Sequence, residues 1–186
     1  KDPNLIYVAA QGALHGPNPE RGIYKSTDGG ESWEQILFVN NLTGCSELSM
    51  DLHNTQVLYA AMWEHQRLPW KVVSGGEGSG LYKSTDGGKS WNKIHKGLPK
   101  EMGKMAIAVS PANPEKVYAL IESDSDKEKG GLFVSGNAGK SWSRISKDHR
   151  LMQRAWYYIE VFPDPQDEHT VYVLSASALR SIDGGK

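Results

Sequence analysis

The chain has a single cysteine, Cys45, so no internal disulfide can staple it. Its surroundings, Thr43-Gly44-Cys45-Ser46, offer no Cys-x-x-Cys pair and no adjacent histidine, and a packed thiol is expected rather than a nucleophile. Charge excess is also lacking. A net charge of −1 over 186 residues removes the electrostatic basis for binding nucleic acid or an anionic membrane surface. No apolar run approaches the ~20 residues needed to cross a bilayer, so no membrane insertion is expected. No segment sustains a 3.6-residue hydrophobic period over three turns, which leaves little room for helix.

What is present in quantity is glycine, 20 residues, together with 6 Trp and 8 Tyr. That combination favours many short strands joined by tight turns. The turns repeat. Gly22-Ile23-Tyr24-Lys25-Ser26-Thr27-Asp28-Gly29-Gly30-Glu31-Ser32-Trp33 returns as Gly80-Leu81-Tyr82-Lys83-Ser84-Thr85-Asp86-Gly87-Gly88-Lys89-Ser90-Trp91. A third copy runs from Gly131 through Ser135, Asn137 and Gly139 to Trp142, and a fourth begins at Ala178 and carries Ser181, Asp183 and Gly185. A second motif keeps step with the first. It places Tyr7, Tyr59, Tyr118 and Tyr172 at spacings of 52, 59 and 54 residues, the period of a four-stranded propeller blade.

Each unit reads as four strands of 4–7 residues. In the third unit they are Met105–Val109, Val117–Ile121, Gly131–Ser135 and a strand from Trp142 to about Ile145. The fold class is therefore all-β: a β-propeller of antiparallel blades, here a partial arc of about four. The units span residues 1–40 (incomplete), 41–96, 97–146 and 147–186 (incomplete), with three, four, four and three strands. A propeller avoids exposed sheet edges by closing. An arc is expected to be completed either by further blades of a larger parent or by a second copy.

The chemistry of the repeated turn explains its residues. An aspartate at a turn accepts hydrogen bonds from the amides that follow it. Glycine supplies positive φ where the chain reverses, and Trp covers the hairpin. Asp28, Asp86 and Asp183 recur once per blade, so they do not converge on one site as a glycosidase pair must. Asn137 preserves the turn without the acid. The expectation is that Ser26, Asp28, Gly30, Trp33, Ser84, Asp86, Gly88, Trp91, Ser135, Asn137, Gly139, Trp142, Ser181, Asp183 and Gly185 are structural.

The pattern Ser-x-Asp-x-Gly-x-Ser-Trp resembles the Asp-box of sialidases, xyloglucan-type glycoside hydrolases and sortilin-type receptor propellers. Further stretches narrow the resemblance: Tyr7-Val8-Ala9-Ala10, His15-Gly16-Pro17-Asn18, Leu58-Tyr59-Ala60-Ala61-Met62-Trp63, Arg67-Leu68-Pro69-Trp70 and Arg154-Ala155-Trp156-Tyr157-Tyr158. Together they are similar to exported bacterial proteins described as sortilin-like or as BNR-repeat glycosyl hydrolases. The resemblance implies a secreted, periplasmic or cell-surface protein. It implies no catalytic residue here. The chain has neither the arginine cluster of a sialidase in its usual context nor a matching xyloglucanase carboxylate motif.

In a blade the Asp-box turns mark one rim, and the loops on the other rim are where binding sites collect. Those loops are Gln11–Arg21, Glu64–Ser79 and Ser123–Lys129, and between blades Phe38–Ser46, Lys96–Gly103 and Ser146–Trp156. The Glu64–Ser79 segment holds Glu64, His65, Arg67 and Trp70. Trp63 and Trp70 can stack on a sugar or peptide, or can pack the loop down. Arg67 can pair with a carboxylate. His15 and His65, with Glu20 or Glu64, are a conceivable acid–base or metal set. Their spacing matches no metal motif, and no metal or cofactor is expected. Arg154 lies next to Trp156, with Tyr157 and Tyr158 read as starting an inner strand. Asp124, Asp126 and Glu128 read as a solvated loop.

Two functions follow. One is a non-catalytic module that binds a peptide, protein or glycan on the rim opposite the Asp-boxes. The other is part of a glycoside hydrolase, with Glu20, Glu64 and Glu77 as local carboxylates and the rest outside the chain.

Overall fold

A computed structural model describes residues 2–123 and 129–186. The acidic segment read above at Asp124, Asp126 and Glu128 lies outside the described residues. Among the described residues, fifteen strands form four antiparallel sheets. Blade one contains β1 (Ile6–Ala10), β2 (Gly22–Ser26) and β3 (Glu34–Leu37). Blade two contains β4 (Thr43–Met50), β5 (Leu58–Leu68), β6 (Lys71–Ser74), β7 (Gly80–Ser84) and β8 (Asn92–Ile94). Blade three is β9 (Met105–Val109), β10 (Val117–Ile121), β11 (Gly131–Ser135) and β12 (Ser143–Ser146). Blade four is β13 (Glu160–Pro163), β14 (Val171–Leu174) and β15 (Ala178–Ser181). Among the described residues the helical content is one 3-10 turn, His149–Met152. This is the architecture of a β-propeller arc, as the repeat implies.

Burial along the strands follows from stacking blades face to face. In β10 every residue, Val117 to Ile121, is buried, because blade two covers one face and blade four the other. In β14 burial alternates. Val171 and Val173 face blade three and are buried, whereas Tyr172 and Leu174 face away and are exposed. Burying each large apolar side chain contributes roughly 1.5–3 kcal/mol. The two inter-blade clusters, one around Tyr59, Met105 and Phe133 and the other around Tyr118, Leu120 and Val161, therefore hold the arc together.

The first three Asp-box turns share one hydrogen-bond pattern, and Ser181, Asp183 and Gly185 repeat its opening bonds. In the second, Ser84 Oγ donates to Asp86 Oδ1 at 2.8 Å and accepts from Gly88 N at 2.9 Å. Asp86 accepts from Ser90 N and Ser90 Oγ at 2.9 and 2.6 Å, and Trp91 Nε1 donates to the Gly88 carbonyl at 3.2 Å. Asn137 reproduces the pattern with its amide nitrogen donating to Ser141 Oγ at 2.8 Å. The residue after the acid has positive φ in every box, and in the third that residue is Ala138, at φ 53°.

A joint between blades uses the periodic tyrosine. Tyr7 of blade one donates to the Gly87 carbonyl in the Asp-box of blade two at 3.0 Å, and Lys25 Nζ donates to the same carbonyl at 3.1 Å. One blade on, Tyr59 and Lys83 donate to the Ala138 carbonyl at 2.9 and 2.7 Å. Each lysine lies over its tyrosine ring, at 5.6 and 5.2 Å from the centroid.

Three sequence expectations are corrected. The Glu64–Ser79 segment is not an irregular loop. β5 runs on to Leu68 and pairs with β6 in a hairpin that stands beyond the blade. The segment Phe38–Ser46 is shorter as a connection than expected, since β4 already begins at Thr43. Tyr157 and Tyr158 do not start the inner strand. Their amides both donate to the Arg154 carbonyl in a turn, and the strand begins at Glu160.

Candidate functional site

Strand polarity places the hairpin β5–β6, the approaches to β9 and β13, and the 3-10 turn on the rim opposite the Asp-boxes. The Gln11–Arg21 loop is strapped to this rim. Arg67 N donates to the Leu14 carbonyl at 2.9 Å, and Gln66 Nε2 to the His15 carbonyl at 3.3 Å.

Beneath the strap sits Arg21, fully buried, a residue that sequence reading passed over. Its guanidinium donates to the carbonyls of Leu42 (2.8 Å), Ala13 (2.6 Å), Gly16 (3.3 Å) and His65 (3.3 Å). Arg21 Nη1 also meets His65 Nδ1 at 3.0 Å. A guanidinium only donates and a carbonyl only accepts, so Nδ1 accepts from Arg21 when the ring proton lies on Nε2 and donates to the Trp63 carbonyl, 3.2 Å away, when it lies on Nδ1. Burial, with the charges of Arg21 and Lys104, pushes the His65 pKa down to about 4. His65 is therefore a neutral packing element. His15 is exposed, and its Nδ1 lies 3.2 Å from the Arg67 carbonyl. The two histidines thus serve different backbone contacts rather than one acid–base set. Among the described residues, no three His, Cys, Asp or Glu side chains are grouped so as to hold a metal ion.

Trp63 packs rather than presenting its face. It is 1% exposed, its ring stacks on His65 at 4.2 Å, and Trp156 meets it edge-on at 5.0 Å. Its Nε1 donates to Ser74 Oγ at 3.1 Å, and Ser74 Oγ donates to Glu122 Oε2 at 2.6 Å. Lys104 completes the cluster. Its amide donates to Glu122 Oε2 at 3.1 Å, and its Nζ donates to the Tyr157 carbonyl at 3.2 Å while lying 5.6 Å from the Trp63 ring. Blades two, three and four are tied together at this point.

Trp70 does the opposite. At the tip of the hairpin it is 81% exposed, beside the exposed Arg67. Tyr157 is 59% and Tyr158 45% exposed, with the Arg154 guanidinium over the Tyr157 ring at 5.5 Å. Between the hairpin and the Lys100–Gly103 segment runs a groove of ≈ 600 Å³, with Val72, Val73 and Met102 among its walls and Lys71, Glu77 and Lys100 supplying charge. A smaller cleft of ≈ 330 Å³ lies beside Arg154, Trp156 and Tyr157.

The carboxylates do not make a hydrolytic pair. Glu64 accepts from the Gly78 amide at 3.0 Å inside its own hairpin, and Glu20 accepts from Asn18 Nδ2 at 3.3 Å. Glu77 is exposed in the turn that follows β6. One coupled pair was not anticipated. A bulge in β4 at Ser46 re-aims Glu47, whose carboxyl hydrogen-bonds that of Glu160 on β13. Burial, then the Glu160 hydrogen bond and charge, push the Glu47 pKa up to about 8, with Lys104 opposing. Cys45 is buried, and burial pushes its thiol up to about 12, which makes it chemically inert in the fold.

Fold and turns define the class: an Asp-box β-propeller. The chain belongs to the sortilin family, since the family model described as "Sortilin, neurotensin receptor 3" matches residues 21–183. It is also similar to the xyloglucanase Xgh74A of Acetivibrio thermocellus, with 32% identity over 172 aligned positions. That alignment covers 77% of this chain and 18% of the relative, so the chain spans about a fifth of the length of the curated proteins it matches. Among solved structures, the GH74 xyloglucanase of Xanthomonas campestris superposes with a TM-score of 0.66 at 19% identity, covering 97% of this chain and 26% of that one. The GH74 enzyme of Niastella koreensis gives 0.63 at 21% identity, covering 100% and 29%. These structures share the fold. Among the described residues, no helix is long and apolar enough to cross a membrane.

Proposed function

We propose that this segment binds an extended polysaccharide of the xyloglucan type along the rim opposite the Asp-boxes, and that it contributes no complete catalytic pair. The observation that carries this reading is the presence of exposed aromatic faces and concave surface on one rim: Trp70, 81% exposed, precedes Lys71 in the wall of the ≈ 600 Å³ groove, and Tyr157, 59% exposed, lines the ≈ 330 Å³ cleft. Flat aromatic rings with a polar edge suit the apolar faces and hydroxyls of pyranose rings. The xyloglucanase relatives supply the ligand class. Such polymers are met outside the cell, which fits an exported protein.

A second reading is hydrolysis by a longer protein of which this rim is part. The 32% identity to a xyloglucanase favours it. Calorimetric titration of the full chain with xyloglucan oligosaccharides tests the first reading, with reducing-sugar release followed in the same samples. Binding without release supports the proposal. Absence of binding rejects it, and release of sugar by this chain transfers the case to hydrolysis.

A further inference from the structure

Blades one, two and three meet at two successive seams, and the repeat lets one be compared with the other position by position. At the first seam Lys25 of β2 donates to the Gly87 carbonyl of the second Asp-box. At the second, Lys83 of β7 donates to the Ala138 carbonyl of the third. Lys89 and Lys140 hold the same position in those two boxes. The acids differ. Opposite Lys25 stands Glu34, whereas opposite Lys83 stands Asn92. Asp86 of the second box is Asn137 in the third. The carboxylates that accompany the lysines at the first seam are thus both amides at the second.

A third lysine joins the second seam. The Lys96 carbonyl accepts from Trp142 N at 3.0 Å, which seats Lys96 beside the third box. Lys83, Asn92, Lys96 and Lys140 line one cleft of ≈ 200 Å³ between blades two and three, and none of the described residues that line it is Asp or Glu. Asn92, Lys96 and Lys140 are exposed, and Lys83 is half-buried. Burial holds the Lys83 pKa below its ordinary value; Glu115 opposes that, Lys140 adds to it, and Asp51 opposes it. Neither of those acids lines the cleft. The result is a local excess of positive charge in a chain whose net charge is −1.

We propose that this cleft binds the anionic groups, sulfate or carboxylate, of an acidic polysaccharide. Lys83, Lys96 and Lys140 supply the opposite charge, and the Asn92 amide supplies a neutral donor where the first seam has a carboxylate. The site lies on the outer wall of the propeller, because β8 is the outermost strand of blade two. The rest of the lining selects the class of polymer. Its apolar side chains are Ile94 and Ala138, so it offers no aromatic face for a nucleic-acid base and no deep apolar pocket for a peptide anchor. The site is separate from the rim groove. Xyloglucan is uncharged, so its binding or failure to bind at the rim leaves this cleft untouched.

Calorimetric titration of the full chain with dextran sulfate and with dextran, one glucan with and without sulfate esters, tests this, and polygalacturonate separates carboxylate from sulfate. The expected result is binding of at least one acidic polymer and none of dextran. Affinity falls as NaCl is raised, since charges are screened over about 10 Å at 0.1 M salt and less above it. The double variant Lys96→Gln/Lys140→Gln, at two exposed positions, binds roughly tenfold more weakly at unchanged Tm. Lys89→Gln/Lys147→Gln removes the same charge from exposed positions at the neighbouring seams, and its affinity stays within about twofold of wild type. Failure to bind either acidic polymer overturns the proposal, as does binding of plain dextran. Equal weakening in the two double variants overturns it too, because the overall charge rather than the cleft then governs binding. Polyglutamate bound as tightly as the polysaccharides overturns the assignment to a polysaccharide.

Discussion

Replacing Arg21 with methionine removes the centre of the rim while keeping an unbranched apolar side chain of similar length. The wild-type guanidinium donates to four carbonyls, those of Leu42, Ala13, Gly16 and His65, and meets His65 Nδ1. The Ala13 and Gly16 carbonyls lie in the Gln11–Arg21 strap, which β5 also holds at Leu14 and His15, and the Leu42 carbonyl also accepts from His65 N at 3.2 Å. Each acceptor left without a donor costs about 1 kcal/mol where water cannot reach it. The desolvation cost of the buried charge is recovered at the same time, which offsets part of the loss. The net destabilisation is about 3 kcal/mol, a Tm decrease of roughly 6–12 °C for a domain of this size. Urea denaturation followed by tryptophan fluorescence measures it. Limited proteolysis in the Gln11–Glu20 segment reports whether the loss starts locally at the strap. An Arg21→Met protein within 1 kcal/mol of wild type, with the strap still protected, refutes the assignment of Arg21 as the pin of this rim.

Three further outcomes follow from the charged and constrained groups. Hydrogen bonds from Ser90 and Ser84 hold the Asp86 carboxyl at about 2, so its contribution is present above the unfolded carboxyl range and is lost as pH falls from about 4 toward 2. Asp86→Asn, which copies Asn137, keeps a Tm that changes less over that window than wild type, and Asp86→Ala lowers Tm at neutral pH. The Glu47 carboxyl is raised, so the folded state binds the extra proton between about 4.5 and about 8, and stability falls as pH rises through that window. Glu47→Gln flattens this slope and is the more stable protein above pH 8 in a thermal melt. Ala138→Gly relieves a left-handed residue and raises stability by about 0.5–1 kcal/mol in urea titration, provided the Tyr59 and Lys83 bonds to that carbonyl persist.

The blades were legible in the sequence because their determinants are local and repeat. A strand of alternating or continuous apolar residues, a tyrosine in fixed phase and a Ser-x-Asp-x-Gly turn each report on a few neighbouring residues. The strands of blade three fall where that pattern puts them. The rim was legible only as a place. The Glu64–Ser79 segment carries glycines and charges that read as a loop, yet Trp63, His65 and Arg67 alternate along an extended β5 whose partner strand needs only the Pro69–Trp70 turn. The alternation was the available signal. Arg21 gave no signal, because its meaning comes from four carbonyls on three segments distant in sequence from one another. The Glu47–Glu160 contact joins strands of blades two and four through a bulge, a long-range pairing that no local pattern encodes.

The central claim is that the rim opposite the Asp-boxes binds polysaccharide through its exposed aromatic faces. The direct measurement is the affinity of the full chain for a xyloglucan oligosaccharide, compared between wild type and Trp70→Ala. Trp70 is 81% exposed, so its removal leaves the fold intact. Loss of a stacking face predicts about tenfold weaker binding at unchanged Tm. Equal affinities for the two proteins, or no binding by wild type, contradict the account.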